Sequence, residues 1–252
     1  MKKKKYDTIV MSSNTEKDVF KEFTAHFKSS PLPDEEILAN MGLFLTSKNL
    51  SRIIFFYKIY KKILNNHGII MEFGVRWGLS LSIMSALRGI FEPFNRHRKI
   101  VGFDTFEGFK GISGKDGSLC KCVDGSFSVS GGYENYLDKI LSMQEQLNPM
   151  PHIKKYEIVK GDVVKTLPEY FNKHPETIVS LAIFDLDIYG PTKAALEAVK
   201  PHLAKGSILV FDELCDDIFP GETIALNEVF GLKNVEIERF PITSRISFLE
   251  IK

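Results

Sequence analysis

The stretch IIMEFGVRWGLSLSIMSALRGIF, residues 69–91, decides the fold. It opens as a short apolar run and closes with apolar residues at helical spacing, so it reads as a buried strand, a turn and an amphipathic helix. Glu72, Gly74 and Gly78 lie at the turn, with Ser80 just beyond. A carboxylate and two glycines at the tip of a buried strand fit a nucleotide site, because glycine lets the backbone approach a ligand closely. They also fit a plain strand-to-helix turn. The spacing is E-x-G-x-x-x-G, not the G-x-G-x-x-G that seats a pyrophosphate on a helix N-terminus. Glu72 opposes a diphosphate and suits a cation or hydroxyl groups. That favours S-adenosylmethionine, whose sulfonium and amino groups are positive.

The same alternation continues down the chain. Strands are expected in KIVGFDTF (99–106), KYEIVKGDV (155–163), TIVSLAIFDLDIYG (177–190) and GSILVFDEL (206–214), with helical segments between them. NVEIERF (234–240) and SRISFLEIK (244–252) read as a closing hairpin. Strands that alternate with helices predict an α/β fold with a mostly parallel sheet. Residues 15–66 read as helical. Thr15 is the expected cap of a first helix carrying Val19, Phe20, Phe23 and Phe27, and a second presents Leu50, Ile53, Ile54, Tyr57, Ile63 and Leu64. We therefore expect an N-terminal helical extension over 1–67 and one α/β unit over 68–252. The apolar extension would cover the sheet or form a homo-oligomer contact.

Bulk composition narrows the function. The 252 residues are 44% hydrophobic and 26% charged, as in ordinary globular proteins, and the net charge of +1 makes no case for nucleic-acid binding. The opening MKKKK reads as a solvated, frayed terminus, with no secretory h-region after it. No apolar run approaches the roughly 20 residues that span a bilayer. Three cysteines, Cys120, Cys122 and Cys215, are too few and too oddly spaced for a disulfide framework or a zinc site. They read as structural, in a reducing cytoplasm.

In an open α/β sheet the ligand lies outside the carboxyl ends of the strands. Every expected parallel strand delivers an acid there: Glu72, Asp104, Asp162, then Asp185 and Asp187, then Asp212 and Glu213. Asp104 suits the ribose hydroxyls of a nucleoside. Asp162 lies near an adenine or is a polar loop residue. The acids at 185–187 and 212–213 would repel one another at the end of apolar strands unless a divalent cation joined them. An oxygen-only set points to magnesium, or manganese in its place. Such a cation would acidify a substrate hydroxyl, and a neighbouring carboxylate would take the proton. Arg76 contacts a sugar phosphate or forms a surface salt bridge, and Tyr189 shapes the acceptor site. Residues 107–132 are long for a strand-to-helix connection and read as a mobile lid over the acceptor.

EFGVRWGLS (72–80), GFDTFEGF (102–109), FDLDIYGPT (184–192) and VFDEL (210–214) together resemble the macrocin O-methyltransferase family. FLTSKNLSRIIFFYKIYKKIL (44–64) and FPGETIALNEVFG (219–231) resemble a branch that methylates the 3-hydroxyl of a dTDP-linked 6-deoxysugar. The resemblance implies a Rossmann-like class I methyltransferase fold with a seven-stranded sheet, acting on sugar hydroxyls with S-adenosylmethionine and a metal. It implies that Glu72, Gly74 and Gly78 hold the methionine end of the cofactor. Asp104 would bind the ribose beside Thr105 and Phe106, and Asp162 and Val163 would flank the adenine. Asp185, Asp212 and Glu213 would bind the metal, with Asp185 or Asp187 as base. The family more often carries two aspartates where this chain has Asp212-Glu213, and W-R-G-G where it has Arg76-Trp77-Gly78-Leu79. Two other readings stand beside this one. A nicotinamide-dependent oxidoreductase is permitted by Asp104 but opposed by Glu72. A non-catalytic binding protein on the same scaffold leaves the acid clusters without a purpose.

Overall fold

A computed structural model describes residues 12–117, 123–243 and 245–252. The opening stretch forms β1 (Ile69–Phe73) and α4 (Leu79–Phe91), with Gly78 in the left-handed region at the helix start. The chain continues through β2 (Ile100–Asp104), α5 (Tyr133–Leu147), β3 (Tyr156–Lys160) and α6 (Val163–Lys173). β4 (Val179–Phe184), α7 (Tyr189–Val199), β5 (Leu203–Phe211) and α8 (Gly221–Phe230) follow, then β6 (Ile237–Arg239) and β7 (Ser247–Glu250). The seven strands make one sheet in the order β3-β2-β1-β4-β5-β7-β6. β1 to β5 pair in parallel, and β7 slots antiparallel between β5 and β6. The mostly parallel sheet is what the alternation predicts, and the seven-stranded class I methyltransferase architecture is what the resemblance implies.

The two-residue period of the strands sorts the core onto two faces. Ile70, Leu181, Ile183, Ile208 and Val210 pack towards one side, under Leu81 and Met84 of α4 and Leu137 and Leu141 of α5. Met71, Phe73, Ala182, Phe184, Leu209 and Phe211 pack towards the other, under α6, α7 and α8. The alternation puts Glu72 of β1 on the first face and, carried one step past the ends of β4 and β5, puts Asp185 and Asp212 there too.

The extension differs from its expectation. It holds α1 (Asn14–Lys28), α2 (Asp34–Ile37), a 3-10 turn and α3 (Ser47–Ile63). Ser13, not Thr15, caps α1: its hydroxyl accepts from the Glu16 amide while Glu16 reaches back to the Ser13 amide. α1 buries none of its residues, and Val19 and Phe20 are more than half exposed. α3 packs on the sheet through Phe55, Phe56, Ile59, Tyr60 and Ile63. The expected face holds at Ile63 and Leu64 but not at Leu50, Ile54 and Tyr57, which are exposed. Two phenylalanines at 55–56 outweigh the scattered aliphatics on the other side, because aromatic side chains bury the larger area. Among the described residues no helix is long and apolar enough to cross a membrane.

Candidate functional site

The parallel strands end along one cleft of ≈ 340 Å³, centred where the sheet order reverses between β1 and β4. Gly74 lies at this seam. Its φ is +93°, and a Cβ there would stand 1.8 Å from the Asp185 carbonyl oxygen. Gly78 likewise has its Cβ position against Leu137 Cδ1, at 2.3 Å. Gly74 is thus required by the protein's own backbone packing and Gly78 by its φ of +79°, which favours the plain turn among the sequence readings. Gly74 lines the cleft; Gly78 sits behind it and starts α4.

On the β1–β3 side, Glu72 is 2% exposed. Ser80 hydrogen-bonds its carboxylate, while Oε2 has no partner. Burial, with the Asp185 charge nearby, pushes the Glu72 carboxyl well above its ordinary range. An orphaned acceptor in a buried cleft is costly unless a ligand donor meets it. Asp104 accepts from the Arg76 amide at 2.7 Å and the Phe106 amide at 2.5 Å. Arg76 and Phe106 both have positive φ, so the carboxylate holds two turns in place. Burial raises the Asp104 carboxyl despite these bonds. The Phe106 side chain is buried in the core rather than in the cleft. Thr105 bonds within its own loop, accepting from the Glu107 amide and donating to the Gly108 carbonyl. Asp162 caps α6 by accepting from the Val164 amide at 3.0 Å, and both Asp162 and Val163 line the cleft. Arg76 lies over the Phe127 ring, 4.9 Å from its centroid, and makes no ion pair among the described residues. Its Nε is buried without a partner.

On the β4–β5 side, carboxylate oxygens of Asp185, Asp187 and Glu213 lie within 4.8 Å of one another. Asp187 is held at φ +62°, which turns it back towards the other two. Burial, and then the Asp212 charge, pushes Asp185 up to about 7. Burial pushes Asp187 up to about 6, against a stabilising hydrogen bond with Glu213. Burial and the Asp187 charge raise Glu213 well above the ordinary range, and its Oε2 is buried without a partner. The donors are oxygens only, crowded and mutually repelling, so these residues fit a hard divalent cation. Asp212, expected as a ligand, lies outside this trio and is joined to a basic residue instead.

That residue, Arg52 of α3, was missed in the sequence. Its guanidinium donates to Asp185 Oδ2 at 2.9 Å and Asp212 Oδ1 at 3.2 Å. Position 52 falls on the buried stripe 55-56-59-60-63 of α3, one turn earlier, so correct phasing of that helix was the signal. Arg245, before β7, pairs with Glu213 at 2.5 Å and with Asp216 at 3.2 Å. Glu222 of α8 is fully buried and accepts from the Glu213 amide at 3.1 Å. Tyr189, expected at the acceptor, does not line the cleft. Its hydroxyl donates to Glu228 at 2.8 Å and accepts from Lys115 at 3.0 Å.

Over the cleft, Phe109 and Phe127 pack on each other and on Phe219, and Lys110 joins them at the lining. Asp116, 4% exposed, accepts from the Tyr189 amide and so caps α7 from the 107–132 segment. Cys120 and Cys122 lie outside the described residues, as does MKKKK at the start; Cys215 is free and exposed.

The whole chain is similar to known enzymes. CalS11, a calicheamicin methyltransferase, is 40% identical over 96% of this chain and 94% of its own, with a TM-score of 0.93. An apo structure of CalS11, described as the TDP-rhamnose 3'-O-methyltransferase of calicheamicin biosynthesis, is 38% identical over 96% of both chains, with a TM-score of 0.84. The O-methyltransferase NovP shares the fold at 16% identity over 80% of each chain, with a TM-score of 0.63. No protein-family model matches the chain, and no curated protein sequence does.

Proposed function

The chain belongs to the O-methyltransferase family that includes CalS11, and from that premise we propose that it methylates a hydroxyl of a nucleotide-linked deoxysugar. The donor is S-adenosylmethionine, and a divalent cation, magnesium or manganese, assists. The observation that carries this reading is the 40% identity over nearly all of both chains. The cleft supports it, since its lining includes the buried carboxylate of Glu72, which opposes a dinucleotide's pyrophosphate. That also speaks against a nicotinamide cofactor.

When bound, S-adenosylmethionine supplies an electrophilic methyl group, and the cation lowers the pKa of a hydroxyl beside it. The remaining work falls to the chain. Glu72, bonded by Ser80, would hold the amino group of the cofactor. Asp104 takes the ribose hydroxyls in a loop shaped by Thr105 and Phe106, and Asp162 and Val163 flank the adenine. Asp185, Asp187 and Glu213 hold the cation, with Asp212 beside them. Asp185 or Asp187 accepts the acceptor's proton. In the cation-free chain burial holds both above the ordinary aspartate range. Arg76, whose guanidinium makes no ion pair among the described residues, reaches the sugar-nucleotide phosphates. Phe109 and Phe127 keep water from the reacting atoms. The apolar surface that α1 leaves open is covered in a homo-oligomer, and the free Cys215 suits a reducing cytoplasm.

The test is incubation of the full chain with S-adenosylmethionine, TDP-rhamnose and magnesium. Mass spectrometry should find a sugar nucleotide one methyl group heavier, together with S-adenosylhomocysteine, and EDTA should abolish both. Methylation that persists in EDTA removes the cation from the mechanism. Failure to bind S-adenosylmethionine at millimolar concentration leaves a binding protein on a methyltransferase scaffold.

A further inference from the structure

The acids at the cleft already have a cation, and it comes from outside the α/β unit. Arg52 belongs to α3 in the N-terminal extension, yet its guanidinium spans the ends of β4 and β5. Asp185 is the shared member: one of its oxygens holds Arg52, and the residue also belongs to the oxygen trio with Asp187 and Glu213. The contact is not a surface pair. The side chains of Arg52, Asp185 and Asp212 are 25%, 27% and 18% exposed, so solvent screens the charges only in part. Asp212 and Asp185 together hold Arg52 in its charged form even though burial opposes it. The guanidinium of Arg52 also lies over the Phe56 ring, its carbon 5.6 Å from the ring centroid. Arg52 Nε, by contrast, has no partner.

We propose that Arg52 is a resident counter-ion that competes with a divalent cation for Asp185, so that cation binding loosens the Arg52 contact and the first turn of α3 with it. The inference rests on the cation reading given above. A guanidinium and a divalent cation on the same carboxylate repel, and each weakens the other by the same factor. Arg52 thus keeps the acid ends of β4 and β5 together when no cation is bound, and makes cation binding weaker than the trio alone would give.

The experiment is a titration of the full chain with Mn²⁺, reading free Mn²⁺ by its paramagnetic resonance signal, with no substrate or cofactor present. Arg52→Met keeps an unbranched side chain at this position and removes the charge; it should bind Mn²⁺ at least tenfold more tightly than the wild type. Arg52→Lys restores a positive charge and should bring the affinity back towards the wild-type value. If Arg52→Met binds no more tightly than the wild type, the competition is overturned while the cation site stands. If neither protein binds Mn²⁺, the cation site itself is wrong and the competition falls with it. Should Arg52→Met fail to fold, amide exchange of the wild type decides. Saturating Mn²⁺ should speed exchange at residues 47–54, and unchanged exchange there overturns the proposal.

Discussion

Glu72 shows how a single residue can serve chemistry at the expense of the fold. A carboxylate at 2% exposure with one unpartnered oxygen is a destabilising choice for a strand end. Glu72→Gln removes the buried charge and keeps the shape. We expect it to leave the melting temperature equal or higher, while S-adenosylmethionine affinity falls at least tenfold, measured by calorimetric titration. A fall in both would make Glu72 a structural residue. At this scale much of the site was legible. Acids that end apolar runs are conspicuous because burial penalises them, and Glu72, Asp104, Asp185, Asp187 and Glu213 all do line the cleft. The purpose of Gly74 was not legible, since the atom it makes room for belongs to Asp185, far along the chain. Tyr189 failed for a related reason. Proximity in sequence to an acid strand says nothing of which way a ring turns, and three charged neighbours (Lys115, Lys193 and Glu228) drew it away.

Among the elements, α1 is the one whose sequence and surroundings disagree. It has a complete capping box and apolar residues at helical spacing, but it buries nothing within the chain. Phe23 and Phe27 meet Phe44, with Phe27 at 4.9 Å between centroids, so the helix is held at one side only. Val19, Phe20, Leu38 and Leu43, all in the N-terminal extension, are large apolar residues that remain exposed. Light scattering should therefore give a mass that is a multiple of 28.6 kDa, and Phe20→Glu should lower it. A monomer in the unaltered protein would refute this. The misreading of α3 belongs to the same scale. Helix existence is written in the three-to-four spacing, but which face is buried depends on the sheet that the helix meets. Arg52 was given no role from the sequence, although it lies one turn before the buried Phe55 and Phe56.

The whole molecule carries its acid cluster as a pH-dependent burden. Asp185 near 7 and Asp187 near 6 lie above the ordinary aspartate value of 3.8, so the folded chain binds protons more tightly than the unfolded one across that interval. Their stabilising contribution is complete below about pH 4 and is lost as pH rises through 6 and 7. In EDTA, the melting temperature should therefore fall between pH 5 and pH 8. Magnesium should remove most of that fall by favouring the ionised forms. A melting temperature that is flat or rising over this range in EDTA would contradict it. Glu228 works in the opposite sense, held down to about 2 by Lys115 and Lys193, but its contribution is already complete above about pH 4.5 and leaves this window alone.

The seam at Gly74 has a consequence for redesign. The carboxylates assigned to the cofactor follow β1, β2 and β3, and those assigned to the cation follow β4 and β5. The two workshops share one wall, where Gly74 abuts Asp185. An engineer seeking a new acceptor can rewrite the surroundings of β4 and β5 while the donor's pocket keeps its shape, provided that the wall itself is left standing.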